Sequence, residues 1–303
     1  MRHIPLALPF MSNMNKTELD ALIVLLDDPD QEVHRIVMDK LVSCGPGIIP
    51  DLETVSETPL DLETQRRLEQ VINAILFDDI SVRLKAWVGG PKTDLLEPAI
   101  LIARFQYANL DETQLRADVE KIKKDIWLEM NYNLTPLEQV NVFNHVFYSI
   151  NGFAANSQNL FDAENNYLNK VLETRKGNPV SLGLLYMVLA RELGMPVYGV
   201  NLSQHFILSY HNHMLQATDK DADIRKSILF YINCLNKGII FTRDDITLFL
   251  KRINVDPQPN HYVPCDNLTI VTLLVNNLVH SYEMAGRADK VQTMLKIKEV
   301  LKG

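Results

Sequence analysis

Apolar residues recur at helical spacing through the first ninety positions: Leu19, Leu22, Ile23, Leu25 and Leu26, then Val33, Ile36, Val37, Leu41 and Val42. This period predicts two short helices. Thr17 and Asp20 are spaced for a capping box on the first, and Asp30 for an N-cap on the second. A third helix is expected from about Leu62 to Phe77, and three more between Leu95 and Ile150. Two of these have marked starts: Asp111 three residues before Gln114, and Thr135-Pro136-Leu137-Glu138, which joins an N-cap to a proline and a capping carboxylate. Leu101, Phe105, Ile122, Ile126, Trp127, Val140, Phe143, Val146 and Phe147 are the expected core positions of that region. From Leu182 to Ala190 nearly every position is apolar, so the helix that Asn178 can cap and Pro179 can open must be buried all round.

After residue 195 the period changes. Val197–Val200, His205–Tyr210 and Ile228–Ile232 are short runs rich in β-branched and aromatic residues, which predict a small antiparallel sheet. The polar segment His211–Lys226 joins the second and third of these strands as a loop. Thr242 and Asp245 then start another helix with a capping box, and two final helices, about Asn267–Ala285 and Ala288–Leu301, turn at Gly286.

Composition narrows the class. With 303 residues and 47% hydrophobic content the chain can bury a substantial core in two or three structural units. A net charge of -8 supplies no broad basic field, which argues against nucleic acid and anionic lipid as partners. Cys44, Cys234 and Cys265 are widely spaced with no Cys-x-x-Cys pair, so neither a disulfide framework nor a zinc cage is expected, and a reducing cytoplasm fits. Residues 1–14 carry one Arg and an apolar run broken by Pro5 and Pro9, and read as a loose arm rather than a signal peptide. The apolar run Ile270–Val279 is interrupted by Asn276 and Asn277, so no membrane helix is expected.

The chemistry-bearing stretch lies between Asn151 and Gly238. Asn151-Gly152-Phe153, Asn156, and the block from Asn165-Asn166-Tyr167-Leu168-Asn169 through Arg175-Lys176-Gly177-Asn178-Pro179-Val180-Ser181-Leu182 resemble the signature of the SirB-type transglutaminase-like family of bacteria. Leu189-Ala190-Arg191-Glu192-Leu193-Gly194-Met195-Pro196-Val197 and Gly199-Val200-Asn201-Leu202-Ser203-Gln204-His205-Phe206 continue the resemblance in order. It implies an α+β, predominantly helical protein with a papain/transglutaminase-like core, in which a buried helix lies on a small antiparallel sheet. The nucleophile would stand at the front of that helix, a histidine on one strand and an acidic residue on the next. A helix N-terminus and a nearby imidazolium lower a thiol's pKa, which is the physical reason for that arrangement. Helical flanks also fit: Leu26-Asp27-Asp28-Pro29-Asp30, a helix and Gly45-Pro46-Gly47 resemble a HEAT-like hairpin, and the last two helices resemble a tetratricopeptide hairpin. The resulting division is a loose arm (1–14), a HEAT-like region (15–92), the transglutaminase-like core (93–255) and a tetratricopeptide-like tail (256–303).

The sequence departs from the active pattern at two of the three positions. No cysteine stands in Asn178-Pro179-Val180-Ser181, and Asn233 occupies the expected acidic position, leaving His205. The expectation is therefore a pseudoenzyme, a non-catalytic protein- or peptide-binding module with a regulatory role, whose old cleft is formed by Ser181, His205 and Asn233. Asn165, Asn166, Arg175 and Asn178 are further candidates for that cleft or braces of the loop entering the helix. A rival reading is an acyl transferase or amide hydrolase with Ser181 as nucleophile, His205 as base and Asn233 orienting it. Another is a structural scaffold whose cleft is filled by its own side chains. Cys234, next to Asn233, should face away from His205 by strand alternation. No cofactor is implied, and His211 and His213 with Asp219 or Asp221 read as solvated loop residues rather than a metal site.

Overall fold

The computed structural model describes residues 16–303 except positions 27, 29, 57–60, 132, 203, 204 and 217, so the arm at 1–14 lies outside the described residues. Two units result from the packing: the described residues of Met1–Leu84 with Arg104–Ala108, and Lys85–Ala103 with Asn109–Gly303.

The first unit holds α1 (Lys16–Leu25), α2 (Gln31–Ser43), α3 (Ile49–Ser56) and most of α4 (Leu62–Gly89). Asp30 caps α2, accepting the Glu32 N–H at 2.8 Å. Helix α1 already runs at Lys16, so Thr17 is a helical residue rather than the expected cap. The turn before α2 is tied to α4 through Arg67, which donates to the carbonyls of Leu26 at 2.5 Å and Asp28 at 3.2 Å. Helix α4 continues well past Phe77 because no Gly or Pro interrupts it before Gly89.

The second unit holds the end of α4 and most of α5 (Leu96–Gln106), then α6 (Glu112–Glu129) and α7 (Pro136–Asn144). Asp111 caps α6, and Thr135 and Glu138 close the capping box of α7. A π-helical turn, His145–Ile150, ends α7. Then come β1 (Ala154–Ala155), a 3-10 turn (Ala163–Asn166), α8 (Leu168–Thr174), β2 (Lys176–Gly177) and α9 (Pro179–Glu192). The remaining elements are β3 (Val197–Leu202), β4 (His205–His211), α10 (Asp221–Ser227), β5 (Ile228–Asn233), β6 (Ile239–Phe241), α11 (Arg243–Arg252), α12 (Asn267–Met284) and α13 (Ala288–Lys302).

Strands β3-β4-β5-β6 form one antiparallel sheet in that order, while β1 and β2 make a separate two-residue parallel pair. Strand β6 is an addition to the three expected; three residues are too few to carry an alternating signal. The expected loop His211–Lys226 also needs correction, since His211 closes β4 and Asp221–Ser227 is helical.

Both faces of the sheet are covered. Helix α9 is buried at every position from Val180 to Ala190, as its uninterrupted apolar run requires, and packs on one face with α12 beside it. On the other face Val200, Leu202, Ile207 and Tyr231 meet Ile246 and Leu250 of α11. Side chains alternate between these faces along β4. The even positions start with Phe206, whose ring occupies a slot made by two glycines. A Cβ at Gly183 of α9 or at Gly199 of β3 would fall 2.6 Å from that ring. The slot seats the start of β4 against the front half of α9 and sends its neighbour, His205, to the opposite face.

Candidate functional site

At the front of α9 every hydrogen-bonding group is engaged with the chain itself. Asn178 accepts the N–H groups of Val180 and Ser181, each at 3.0 Å, and Ser181 Oγ accepts the Asn178 N–H at 3.0 Å in return. A serine hydroxyl has one proton to give. Here it goes to the carbonyl of Asn165 at 2.6 Å, in a site where Ser181 is 3% exposed. Gly177 lets the chain pass: a Cβ there would lie 2.7 Å from the Ser181 oxygen. The surrounding asparagines are similarly engaged, Asn178 donating to Asn166 Oδ1 at 2.5 Å and Asn165 bonded to Asn156 and to the Asn159 carbonyl. Arg175 ends α8 in the left-handed region at φ 59°, with its guanidinium 4.8 Å from the Phe153 ring centroid and its buried Nη1 without a hydrogen-bond partner among the described residues. Ser181, Asn165 and Arg175 therefore brace the entry to α9, and none of them lines the groove described next.

That groove wraps the end of the sheet. On the α9 and α12 side lies a chamber of about 360 Å³, with Phe161, Val180, Asn201, Asn277 and His280 in its walls. On the α11 side lies a smaller one of about 210 Å³, walled by Ile207, Asn233, Phe241, Asp245 and Phe249. Pro179, His205, Phe206 and Leu235 line both, so His205 stands at the junction with the first residue of α9 opposite. Its ring lies edge-on to Phe249, with centroids 4.9 Å apart. No hydrogen bond joins His205 to Ser181, whose proton and lone pairs point to Asn165 and Asn178.

Asn233 shares the smaller chamber with His205, but its side-chain oxygen caps the 3-10 turn Cys234–Asn236, accepting from Leu235 at 3.0 Å and Asn236 at 3.3 Å. The carboxylate in that chamber, Asp245, is committed to the α11 capping box, accepting the N–H and hydroxyl of Thr242, which hold its pKa down. Cys234 is buried away from both chambers, and burial pushes its thiol up to about 12. His211, read from the sequence as a loop residue, is fully buried in β4. Its Nδ1 lies 2.7 Å from Ser227 Oγ and its Nε2 3.0 Å from Ser209 Oγ. Ser227 gives its own proton to the Ile224 carbonyl at 2.8 Å, so Nδ1 carries the hydrogen and Nε2 accepts. Among the described residues no cluster of His, Cys, Asp and Glu is arranged to hold a metal ion.

A buried helix aimed at a strand histidine is the geometry the signature block implied, and comparison with known families decides its kinship. Residues 113–276, more than half of the chain, match the family model of the transglutaminase-like superfamily. The chain belongs to that superfamily. Among curated proteins it is similar to the UPF0162 protein of Xylella fastidiosa, 36% identical over 118 residues that cover 38% of this chain and 41% of the relative. The UPF0162 protein of Vibrio cholerae is 33% identical over 101 residues, 32% of this chain and 37% of that one. The mouse F-box only protein 21 is 36% identical over 99 residues, 33% of this chain and 15% of that one. The match thus spans less than half the length of these relatives. No solved structure matches the chain.

The transglutaminase-like signature leads to Asn178 and His205 but not to the far wall of the larger chamber. Asn277 and His280 come from α12, outside that block, where Asn277 registers only as an interruption of an apolar run. No local pattern in the sequence marks either residue.

Proposed function

We propose that this chain is a non-catalytic member of the transglutaminase-like superfamily, of the SirB type, whose groove at His205 binds a segment of a partner protein. The observation that carries this reading is the commitment of Ser181. Its hydroxyl is buried in the α9 capping box, while the α9 residues lining the groove beside His205 are Pro179 and Val180, which have no nucleophilic atom. An acyl-transfer site needs nucleophile and base within hydrogen-bond reach. The HEAT-like and tetratricopeptide-like flanks supply further surfaces for partners, as stacked helices commonly do. Three unpaired cysteines, two of them with pKa values raised by burial, fit residence in a reducing bacterial cytoplasm.

Labelling of the purified chain with a serine-directed fluorophosphonate probe tests the catalytic alternative. The expected result is no covalent adduct at Ser181. An adduct that disappears in the Ser181→Ala variant would overturn the reading and restore the hydrolase. Partner recovery is then compared between wild type and His205→Ala by quantitative pull-down, with a selective loss expected in the variant. Equal recovery of every partner would move the function from the groove to the helical flanks.

A further inference from the structure

Most of the asparagines around α9 are hydrogen-bonded to the chain itself, among them Asn144, Asn156, Asn165, Asn166 and Asn178. Two that face the larger chamber are different. The side-chain amides of Asn201, on β3, and Asn277, on α12, have no hydrogen-bond partner among the described residues, and both are half-buried. Each has a carbonyl and an NH₂ to satisfy, and such groups are costly to leave without partners when solvent is displaced. The imidazoles of His205 and His280 also face this chamber, with no hydrogen bond among the described residues.

The charge of the walls restricts what can satisfy them. Among the described residues no Lys, Arg, Asp or Glu lines the larger chamber, in a chain that has 30 basic and 38 acidic residues. Asp245 in the smaller chamber is held by Thr242. A charged ligand group would lose its hydration in the larger chamber without gaining a counter-charge; in the smaller one an anion would meet the ionised Asp245, and a cation would have to leave water for a carboxylate already bonded to Thr242. Besides these groups, and Asn166, Asn178 and Ser281 in the larger chamber and Asn233 in the smaller, the walls are apolar: Phe161, 59% exposed and edge-on to His280 at 5.4 Å, with Phe206 in the larger chamber and Phe249 in the smaller. A volume of about 360 Å³ lies near the lower end of the ~300–1,000 Å³ of ligand pockets, and the chamber of about 210 Å³ is smaller still. Each suits one large side chain better than a folded surface.

We propose that the groove binds an extended peptide segment without charged side chains. Asn201 and Asn277 clamp its backbone, and an apolar side chain enters each chamber on either side of His205. A side-chain amide offers one donor and one acceptor side by side, which matches the C=O and N–H of a peptide backbone and gives grip without sequence preference. The apolar chambers then supply selectivity through side-chain burial. This inference rests on the groove being a binding site, and it adds the chemical class of the ligand.

The test is selection of random dodecapeptides displayed on phage against the full chain, followed by anisotropy titration of synthetic versions. Enriched peptides should share an uncharged stretch with two apolar residues at fixed spacing. Asn201→Ala and Asn277→Ala should each weaken binding about tenfold, the effect of losing a partly buried hydrogen bond. N-methylation of the central peptide bond should do the same, and Lys or Glu placed in the stretch should abolish binding. Thermal melts of each variant separate lost folding from lost binding. Peptides with charged consensus residues that still lose affinity in His205→Ala would overturn the ligand class and leave the groove as the site. Peptides indifferent to His205→Ala, Asn201→Ala and Phe161→Ala would overturn both, as would a selection that enriches nothing.

Discussion

The Ser181 Oγ lies 2.6 Å from the carbonyl oxygen of Asn165, a residue 16 positions earlier in the chain. That bond fixes which way the only hydroxyl in the first turn of α9 points, and Ser181 does not line the groove in which His205 stands. Replacing Ser181 by Ala removes a capping-box acceptor and strands the buried Asn165 carbonyl, a loss of about 1–3 kcal/mol of stability. Chemical denaturation should show this as a lower midpoint with an unchanged slope. Ligand binding by the folded variant should stay within about twofold of wild type, less than the ~1.4 kcal/mol of a tenfold change. A loss of binding without loss of stability would contradict the structural role.

Phe206 depends on the two glycines that flank its ring. Gly183→Ala or Gly199→Ala places a Cβ 2.6 Å from that ring, and overpacking of this kind costs about 1–3 kcal/mol. Since Phe206 positions the junction of the two chambers, each variant should also weaken binding. Trimming the ring in a Gly183→Ala, Phe206→Leu double variant should recover part of the lost stability, measured as a non-additive double-mutant cycle. Strict additivity would show that the clash is absorbed elsewhere.

Burial lowers the pKa of His211 from 6.5 to about 4, with His213 adding a smaller effect in the same direction. The unfolded chain takes up this proton at a higher pH than the folded one. Stability linked to His211 is therefore complete above about pH 6.5 and is lost as the pH falls toward 4. The size expected is about 2–3 kcal/mol by pH 4.5. Urea unfolding of wild type and His211→Gln from pH 7.5 to 4.5 checks this through the difference in slope. Parallel pH profiles would rule out His211 as the titrating group.

The three thiols should separate by reactivity. Burial raises Cys234 to about 12 and Cys265 to about 11, whereas Cys44 is half-buried with its thiol donating to the Lys40 carbonyl. Alkylation with iodoacetamide at pH 8, followed by peptide mass mapping, should modify Cys44 first and leave Cys234 intact until the chain is unfolded, because only the thiolate reacts. Fast modification of Cys234 in the native chain would mean that the second unit opens locally.

Much of the architecture follows from local rules that the sequence states openly. The caps at Asp30, Asp111, Thr135, Asn178 and Thr242 form as their side chains dictate, because a cap bonds to a backbone only two or three residues away. The apolar run after Pro179 requires burial wherever it lies, and α9 is indeed the buried helix on the sheet. Thr17 and the 211–226 segment read differently because helix ends and short elements carry few residues of signal.

What the tertiary structure alone decided is the direction of the polar groups at the site. From sequence, Ser181, His205 and Asn233 stand at the three positions of a familiar site; in the fold Ser181 turns to Asn165, Asn233 turns to its own 3-10 turn, and His205 faces Phe249. The groove gains Asn277 and His280 from a helix more than seventy residues further on. Periodicity reports which face of an element is apolar, but which partner a hydroxyl or amide finds depends on atoms brought together across the chain, and a single sequence holds no local record of that pairing.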